Sequence, residues 1–95
     1  MIRLNLVLTA KWFDMIAKGI KKEEYRAINQ YWINRLCVSN KEIEIKHFDE
    51  VCFHRGYTKT TMVFNIEDIT IGEGRKEWGA PDKEVFIIKL GNRLI

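Results

Sequence analysis

The sequence predicts an α+β fold: a small, curved, mixed or mainly antiparallel β-barrel with two short helices packed on it. Three observations indicate this class. The chain has 95 residues, which suits one domain spanning residues 1–95. Hydrophobic residues make up 46% of it and it has a single proline, as in packed globular domains. Its segments run strand, helix, strand, helix and then mostly strands.

The first strand and the first helix have the clearest patterns. Residues 3 to 9, RLNLVLT, alternate leucines with other residues, which is the period of two of a strand that covers a core. Thr9 is expected to cap a helix through AKWFDMIAK, whose apolar residues recur at three-to-four spacing. Gly19 is expected to end this helix, because glycine adopts the left-handed conformation without steric cost.

The middle of the chain has weaker patterns. Residues 20 to 27, IKKEEYRA, predict a turn that enters a short exposed strand, and residues 28 to 36, INQYWINRL, predict the second helix. Residues 37 to 47 follow no clean pattern, although Ile43 and Ile45 would suit a small edge strand.

Three further strands are predicted in the second half, because these segments are rich in Val, Ile and Phe. They are DEVCFHR (residues 49–55), TMVFNIEDITI (61–71) and EVFIIKL (84–90). A charged loop with several glycines and the proline, residues 72 to 83, separates the last two strands.

Charge and composition limit the partners. The net charge of +3 and the pI of about 9.0 favour a polyanionic partner such as RNA. No apolar run approaches the roughly 20 residues of a membrane span, and no secretory leader is evident, so we expect a cytoplasmic protein without a membrane partner. Cys37 and Cys52 are expected to be free thiols. The oligomeric state has no signature in the sequence.

The motif Gly19-x-Lys21-x-x-Glu24-x-Arg26 carries the main site prediction. Lys21 would act as a mobile point charge for a phosphate, and Arg26 offers a planar fork for the same group. Glu24 can accept from a base amino group or hold Arg26. A joint site requires Lys21 to lie in the turn, since a regular strand would point it away from Glu24 and Arg26. The alternative is a solvated turn with a surface ion pair.

This spacing resembles the G-x-K-x-x-E-x-R signature of the ASCH domain, a branch of the PUA-like β-barrel superfamily, and all four signature positions match. The segments WFDMIAKGIKKEEYR, FHRGYT and EWGAP are also similar to small bacterial and phage ASCH proteins. The resemblance implies a PUA-like barrel with a cleft beside the motif that binds RNA or a nucleotide-like ligand. No cofactor is expected.

An enzyme is the alternative function. The resemblance includes a branch of small amidohydrolases that deacetylate N4-acetylcytidine, in which the motif lysine and a nearby threonine and glutamate are catalytic. Lys21 would then be the base or nucleophile, with Glu24 moving protons. Glu24 stands where those enzymes carry the threonine, so a carboxylate replaces a hydroxyl beside the lysine. This departure favours binding over catalysis.

Two further segments contribute candidate ligand contacts. Residues 54 to 60, HRGYTKT, combine cations with an aromatic ring, which suits an unpaired base, so Arg55 and Tyr57 are predicted contacts. A solvated hairpin turn is the alternative. Trp78, in the loop, is either a plug over one end of the barrel or a stacking platform. Trp12 and Trp32 lie on apolar helix faces and are predicted core or near-core residues.

No metal site is predicted. Cys37, His47, Cys52 and His54 are potential zinc ligands, but their spacing lacks the short paired element that fixes two ligands at once. The interpretation that best fits the sequence is therefore an RNA- or nucleotide-binding module that uses Lys21, Glu24, Arg26, Arg55, Tyr57 and Trp78.

Overall fold

Five strands form one curled sheet in the computed structural model, which describes residues 2–39 and 43–95. The elements are β1 (Arg3–Leu8), α1 (Ala10–Ala17), β2 (Glu23–Ala27), α2 (Gln30–Leu36), β3 (Glu50–Arg55), β4 (Thr61–Glu73) and β5 (Glu84–Arg93). A short 3-10 helix, Lys76–Trp78, lies between β4 and β5. This α+β architecture confirms the predicted fold class.

The sheet order is β1-β3-β4-β5-β2, so β1 and β2 are its two edges. The β1–β3 pair is parallel and the other pairs are antiparallel. The sheet curls into a half-barrel, and its apolar side chains form the main core with those of the two helices. Buried members of this core include Leu4, Leu6, Leu8, Phe13, Ile16, Leu36, Phe53, Met62, Phe86 and Ile88. The alternating leucines of β1 thus cover the core as predicted.

The helix ends differ in detail from the prediction. Thr9 occupies the N-cap of α1 as predicted, although its side chain makes no capping hydrogen bond. Gly19 has a φ of +76°, which confirms that the chain reverses there in the left-handed conformation. The second helix begins two residues later than predicted, because the Asn29 side chain accepts from the Trp32 amide at 3.0 Å and caps it.

Strand β2 is not the exposed strand that its charges predict. It pairs with β5, and both Glu24 and Tyr25 are buried. In the segment of residues 37 to 47, Cys37 and Ile45 form an isolated bridge instead of an edge strand, and Ile43 is exposed. Part of that segment, residues 40–42, lies outside the described residues.

The β4–β5 ladder is irregular at two adjacent places. Ile66 pairs with Leu90 and Asp68 with Lys89, so Glu67 is an extra residue on β4. Phe64 pairs with Arg93 and Ile66 with Leu90, which leaves an extra residue on β5 within 91–92. Such bulges bend a strand and redirect side chains. Within the described ranges, no helix has the length and apolar character needed to cross a membrane.

Candidate functional site

The turn between α1 and β2 places Lys21 beside the strand that follows. The amides of Ile20 and Lys21 both donate to the Met15 carbonyl, and β2 begins only at Glu23. Lys21 therefore lies before the regular pleat, which is the condition that a joint site requires. Glu24 and Arg26 share the face of β2 that turns toward the main core, opposite Ile88 and Phe86 of β5.

The structure brings the three charged residues of the motif into direct contact. We call Lys21, Glu24 and Arg26 the charge trio. The Lys21 Nζ lies 2.9 Å from Glu24 Oε1, and the Arg26 Nη2 lies 2.6 Å from Glu24 Oε2. Lys21 is only 2% exposed and Glu24 only 5%. One buried carboxylate thus serves two cations, and the surface ion pair considered as an alternative is wrong.

Each cation of the charge trio has the same three kinds of neighbour. Lys21 also donates to the Trp78 carbonyl at 2.6 Å, and its Nζ lies 4.5 Å from the Trp12 ring centre. Arg26 donates to the Val7 carbonyl at 3.2 Å, and its guanidinium lies 5.0 Å from the Trp32 ring centre. A carboxylate oxygen, a main-chain carbonyl and an indole face therefore surround both charges, and each of these contacts suits a cation.

The charge trio joins the two edges of the half-barrel. A continuous chain of contacts runs from the Trp78 carbonyl through the trio to the Val7 carbonyl on β1. Because β1 and β2 are the sheet edges, this chain spans the gap that the sheet leaves open. Lys21 is consequently a buried, fully engaged cation in this structure, and not the mobile, reaching point charge that the sequence predicts.

Tyr25 lies on the other face of β2 from Glu24 and Arg26, with the Lys21 Nζ 5.5 Å from its ring centre, and it holds the loop of residues 74 to 83. Its hydroxyl donates to Glu23 Oε1 at 2.8 Å and accepts from the Arg75 amide at 3.0 Å. Burial is the main cause that raises the pKa of Tyr25 to about 12, so the phenol stays protonated as a donor. Trp78 packs on the small apolar cluster to which Tyr25 belongs. The indole is half-buried and covers this cluster in the manner of a plug, with the Arg75 guanidinium over its ring.

A groove opens next to the trio where the β4–β5 ladder is irregular. It consists of two adjoining concavities of about 350 and 270 Å³ that share Lys22, Glu67 and Leu90. The first is also lined by Ile16, Gly19, Lys21, Phe64, Gly91 and Asn92, and the second by Glu23, Arg75, Trp78 and Lys89. These volumes lie at the small end of the range for ligand pockets.

Three of the six charged residues that line this groove have unpaired side chains, unlike those of the charge trio. Within residues 2–39 and 43–95, Lys22, Glu67 and Lys89 have no hydrogen-bond or ion-pair partner in their side chains. Arg75 lies over the Trp78 ring at 4.7 Å and is largely exposed. Two free cations, a free carboxylate and an indole therefore face one concave surface.

Of the two predicted ligand contacts at the β3–β4 turn, Arg55 pairs with another residue of the chain and Tyr57 is exposed. Arg55 makes a two-bonded pair with Asp14 of α1, at 3.0 and 3.1 Å, and this pair lowers the pKa of the Asp14 carboxyl. Tyr57 is fully exposed beside Gly56, whose φ is +57°. Among the described residues, no hydrogen bond or ion pair connects Arg55 or Tyr57 to the charge trio.

The candidate zinc ligands do not assemble. Cys52 and His54 share one face of β3, with Sγ and Nε2 3.8 Å apart. In the part of the chain that the structure describes, no group of three His, Cys, Asp or Glu side chains is suited to hold a metal ion.

Sequence reasoning missed several residues of the site. Trp12 and Trp32 are half-buried, and Trp32 packs against the main core, in line with the predicted core or near-core position. The sequence does not predict that both indoles face the cations of the charge trio. Glu67 and Lys89 look like ordinary outward-facing strand residues, because no sequence pattern marks the bulge between them. Lys22 lies within the motif, next to Lys21, so its position in the sequence could have indicated that it belongs to the site.

Comparison of the chain with protein-family models, curated proteins and solved structures finds no match.

Proposed function

We propose that this chain binds RNA or a nucleotide-like ligand in the groove beside the Gly19–Arg26 motif. The observation that carries the proposal is the unpaired state of Lys22 and Lys89 on a concave surface that Trp78 also lines. Free cations can neutralise phosphates, and an indole can stack on an unpaired base. The resemblance to ASCH domains, which implies a cleft beside this motif, favours the same ligand class.

The charge trio has a supporting role in this proposal. Lys21 holds the main chain of Trp78, Glu24 holds Lys21, and Arg26 holds Glu24, so these residues set the position of the groove wall without having to touch the ligand. Trp78 is the stacking platform. Arg55 and Tyr57 stay predictions as contacts for a longer strand, because Tyr57 is the fully exposed aromatic residue at its turn.

Titration of a labelled single-stranded RNA at several salt concentrations tests this proposal. The affinity should fall as salt rises, and Lys22→Ala or Lys89→Ala should each weaken binding and reduce the slope of log K against log salt by about 0.7 per lost phosphate contact. Lys83→Ala is the matched control, since Lys83 is exposed and lines neither concavity. An affinity that is indifferent to salt, or equal effects of all three substitutions, contradicts the proposal.

A second candidate function is amidohydrolysis of an acylated nucleoside such as N4-acetylcytidine. One observation favours it: an ammonium and a carboxylate, those of Lys21 and Glu24, lie 2.9 Å apart in a buried place, as a proton-exchanging pair would. Turnover of N4-acetylcytidine by the native chain and by Lys21→Arg tests it, because arginine keeps the charge but does not give up a proton. Absence of turnover in the native chain, or unchanged turnover in Lys21→Arg, rules out this role.

A further inference from the structure

We propose that Glu67 makes the groove selective for bases that carry an exocyclic amino group, so that cytosine binds better than uracil. This inference rests on the proposed function and assigns a specificity-determining residue to the same groove.

The position of Glu67 in the sheet is the first support. Glu67 is the extra residue of the β4 bulge, between the Ile66–Leu90 and Asp68–Lys89 pairs. Bulges redirect a side chain relative to the regular pleat and are common beside binding sites. Here Glu67 lines both concavities of the groove, as well as a neighbouring one that includes Lys46 and His47, and therefore lies where these concavities adjoin.

The free state of its carboxylate is the second support. The other carboxylate that lines the groove, Glu23, already accepts from the Tyr25 hydroxyl at 2.8 Å. Glu67 has no hydrogen-bond or ion-pair partner among the described residues, although Lys22 and Lys89 line the same groove. A carboxylate left unpaired near two lysines is available to a donor that a ligand brings.

The hydrogen-bonding groups of the bases allow this carboxylate to discriminate cytosine from uracil. A carboxylate accepts hydrogen bonds and cannot donate them, so it pairs with the amino group of cytosine and repels the carbonyl oxygen that uracil has at the same ring position. Stacking on Trp78 does not discriminate, because every base has a π-face. Asn92, which also lines the groove, offers both a donor and an acceptor, and thus accommodates either base.

Binding of oligocytidylate and oligouridylate of equal length, near neutral pH and at fixed salt, tests the inference. The native chain should bind the cytosine oligomer about tenfold more tightly, which corresponds to one charge-assisted hydrogen bond. Glu67→Gln should bring this ratio close to one, because an amide can pair with either base. Removal of the negative charge should strengthen the binding of both oligomers, but that gain is common to them and leaves the ratio as the decisive value.

Glu73→Gln is the matched control. Glu73 is an exposed carboxylate of the same strand and lines neither concavity, so this variant should keep the native ratio. Equal affinity of the native chain for the two oligomers, or a preference that Glu67→Gln leaves intact, overturns the role of Glu67 while RNA binding itself stands. Failure of the native chain to bind either oligomer overturns both the inference and the proposed function.

Discussion

At the scale of single residues, Glu24 determines how the motif behaves in this chain. Its two carboxylate oxygens each hold one cation, the buried Lys21 on one side and the partly buried Arg26 on the other. Removal of charges from water is costly, and only mutual attraction with good hydrogen-bond geometry offsets that cost. A hydroxyl at this position would leave two cations with a single weak acceptor. The carboxylate therefore makes the motif a structural element of the barrel.

Replacement of this carboxylate should destabilise the fold strongly. Glu24→Gln leaves one amide oxygen for the buried Lys21 and the partly buried Arg26 and points an NH₂ donor at one of them, so we expect a loss of about 3–5 kcal/mol in the free energy of unfolding, measured in urea. The control is Glu23→Gln, which keeps an acceptor for the Tyr25 hydroxyl and should cost about 1 kcal/mol or less. Similar losses for the two variants would mean that the charge trio does not act as a buried cluster.

At the scale of elements, the loop of residues 74 to 83 is held in place at three points, and it forms one wall of the groove. The Arg75 amide donates to Tyr25, the Trp78 carbonyl accepts from Lys21, and Gly79 lies against the ring of Trp12. Gly79 has a φ of +97°, so it combines a backbone conformation that favours glycine with a close approach to an indole. The loop is therefore a fitted part of the domain, despite its polar and glycine-rich sequence.

A methyl group at Gly74 should displace this loop. A Cβ there would lie 2.7 Å from the Cβ of Ala80 and closer still to the ring of Tyr25, so Gly74→Ala should cost about 1–3 kcal/mol of stability and weaken RNA binding. Its control is Gly72→Ala on β4, where a Cβ meets Ile87 at an ordinary 3.5 Å. Urea unfolding and RNA titration measure both effects. Unchanged RNA binding by a folded Gly74→Ala variant would contradict the role of the loop as a groove wall.

At the scale of the whole molecule, the curled sheet is closed by side chains and not by strand pairing. Two carbonyls of the edge strand β1 face the gap and accept hydrogen bonds from arginines. Arg26 donates to the Val7 carbonyl at 3.2 Å, and Arg35 donates to the Asn5 carbonyl at 3.4 Å. Both guanidiniums lie over the Trp32 ring, at 5.0 and 5.5 Å from its centre. This arrangement covers a strand edge that would otherwise be open to pairing with another chain.

Loss of the shorter of these two arginine hydrogen bonds should loosen both edge strands of the sheet, β1 and β2. Arg26→Gln removes the link between β2 and β1 while Lys21 still neutralises Glu24, so we expect faster amide hydrogen exchange in β1 and β2, with β3 and β4 less affected. Arg35→Gln is the control: it removes the longer bond from α2 to the same edge, and should have a smaller effect confined to β1 and α2. Faster exchange spread equally over all five strands would show global destabilisation instead of an opened edge.

Much of the fold could be predicted because patterns of neighbouring residues determine most of its strands and turns. The leucines of β1, the reversal at Gly19 and the three strands of the second half follow from periodicity, backbone freedom and β-branched composition. The burial of β2 could not be predicted in the same way, since its charged residues are typical of a solvated turn. Only its pairing with β5 buries Glu24 and Tyr25.

The sequence by itself determined the class of the fold, the turn at Gly19 and the presence of a lysine, a glutamate and an arginine at the entrance to β2. Tertiary structure alone decided that Lys21 and Glu24 are buried, that Glu24 pairs with both cations, and that Trp12 and Trp32 lie against them. It also decided that Lys22, Glu67 and Lys89 line the groove with no side-chain partner among the described residues. The physical reason is the distance along the chain over which each effect acts. Periodicity and turn chemistry act within a few residues, whereas the burial of the charge trio and the bulge depend on contacts between residues that lie from 21 positions apart, as Asp68 and Lys89 do, to 57 positions apart, as Lys21 and Trp78 do.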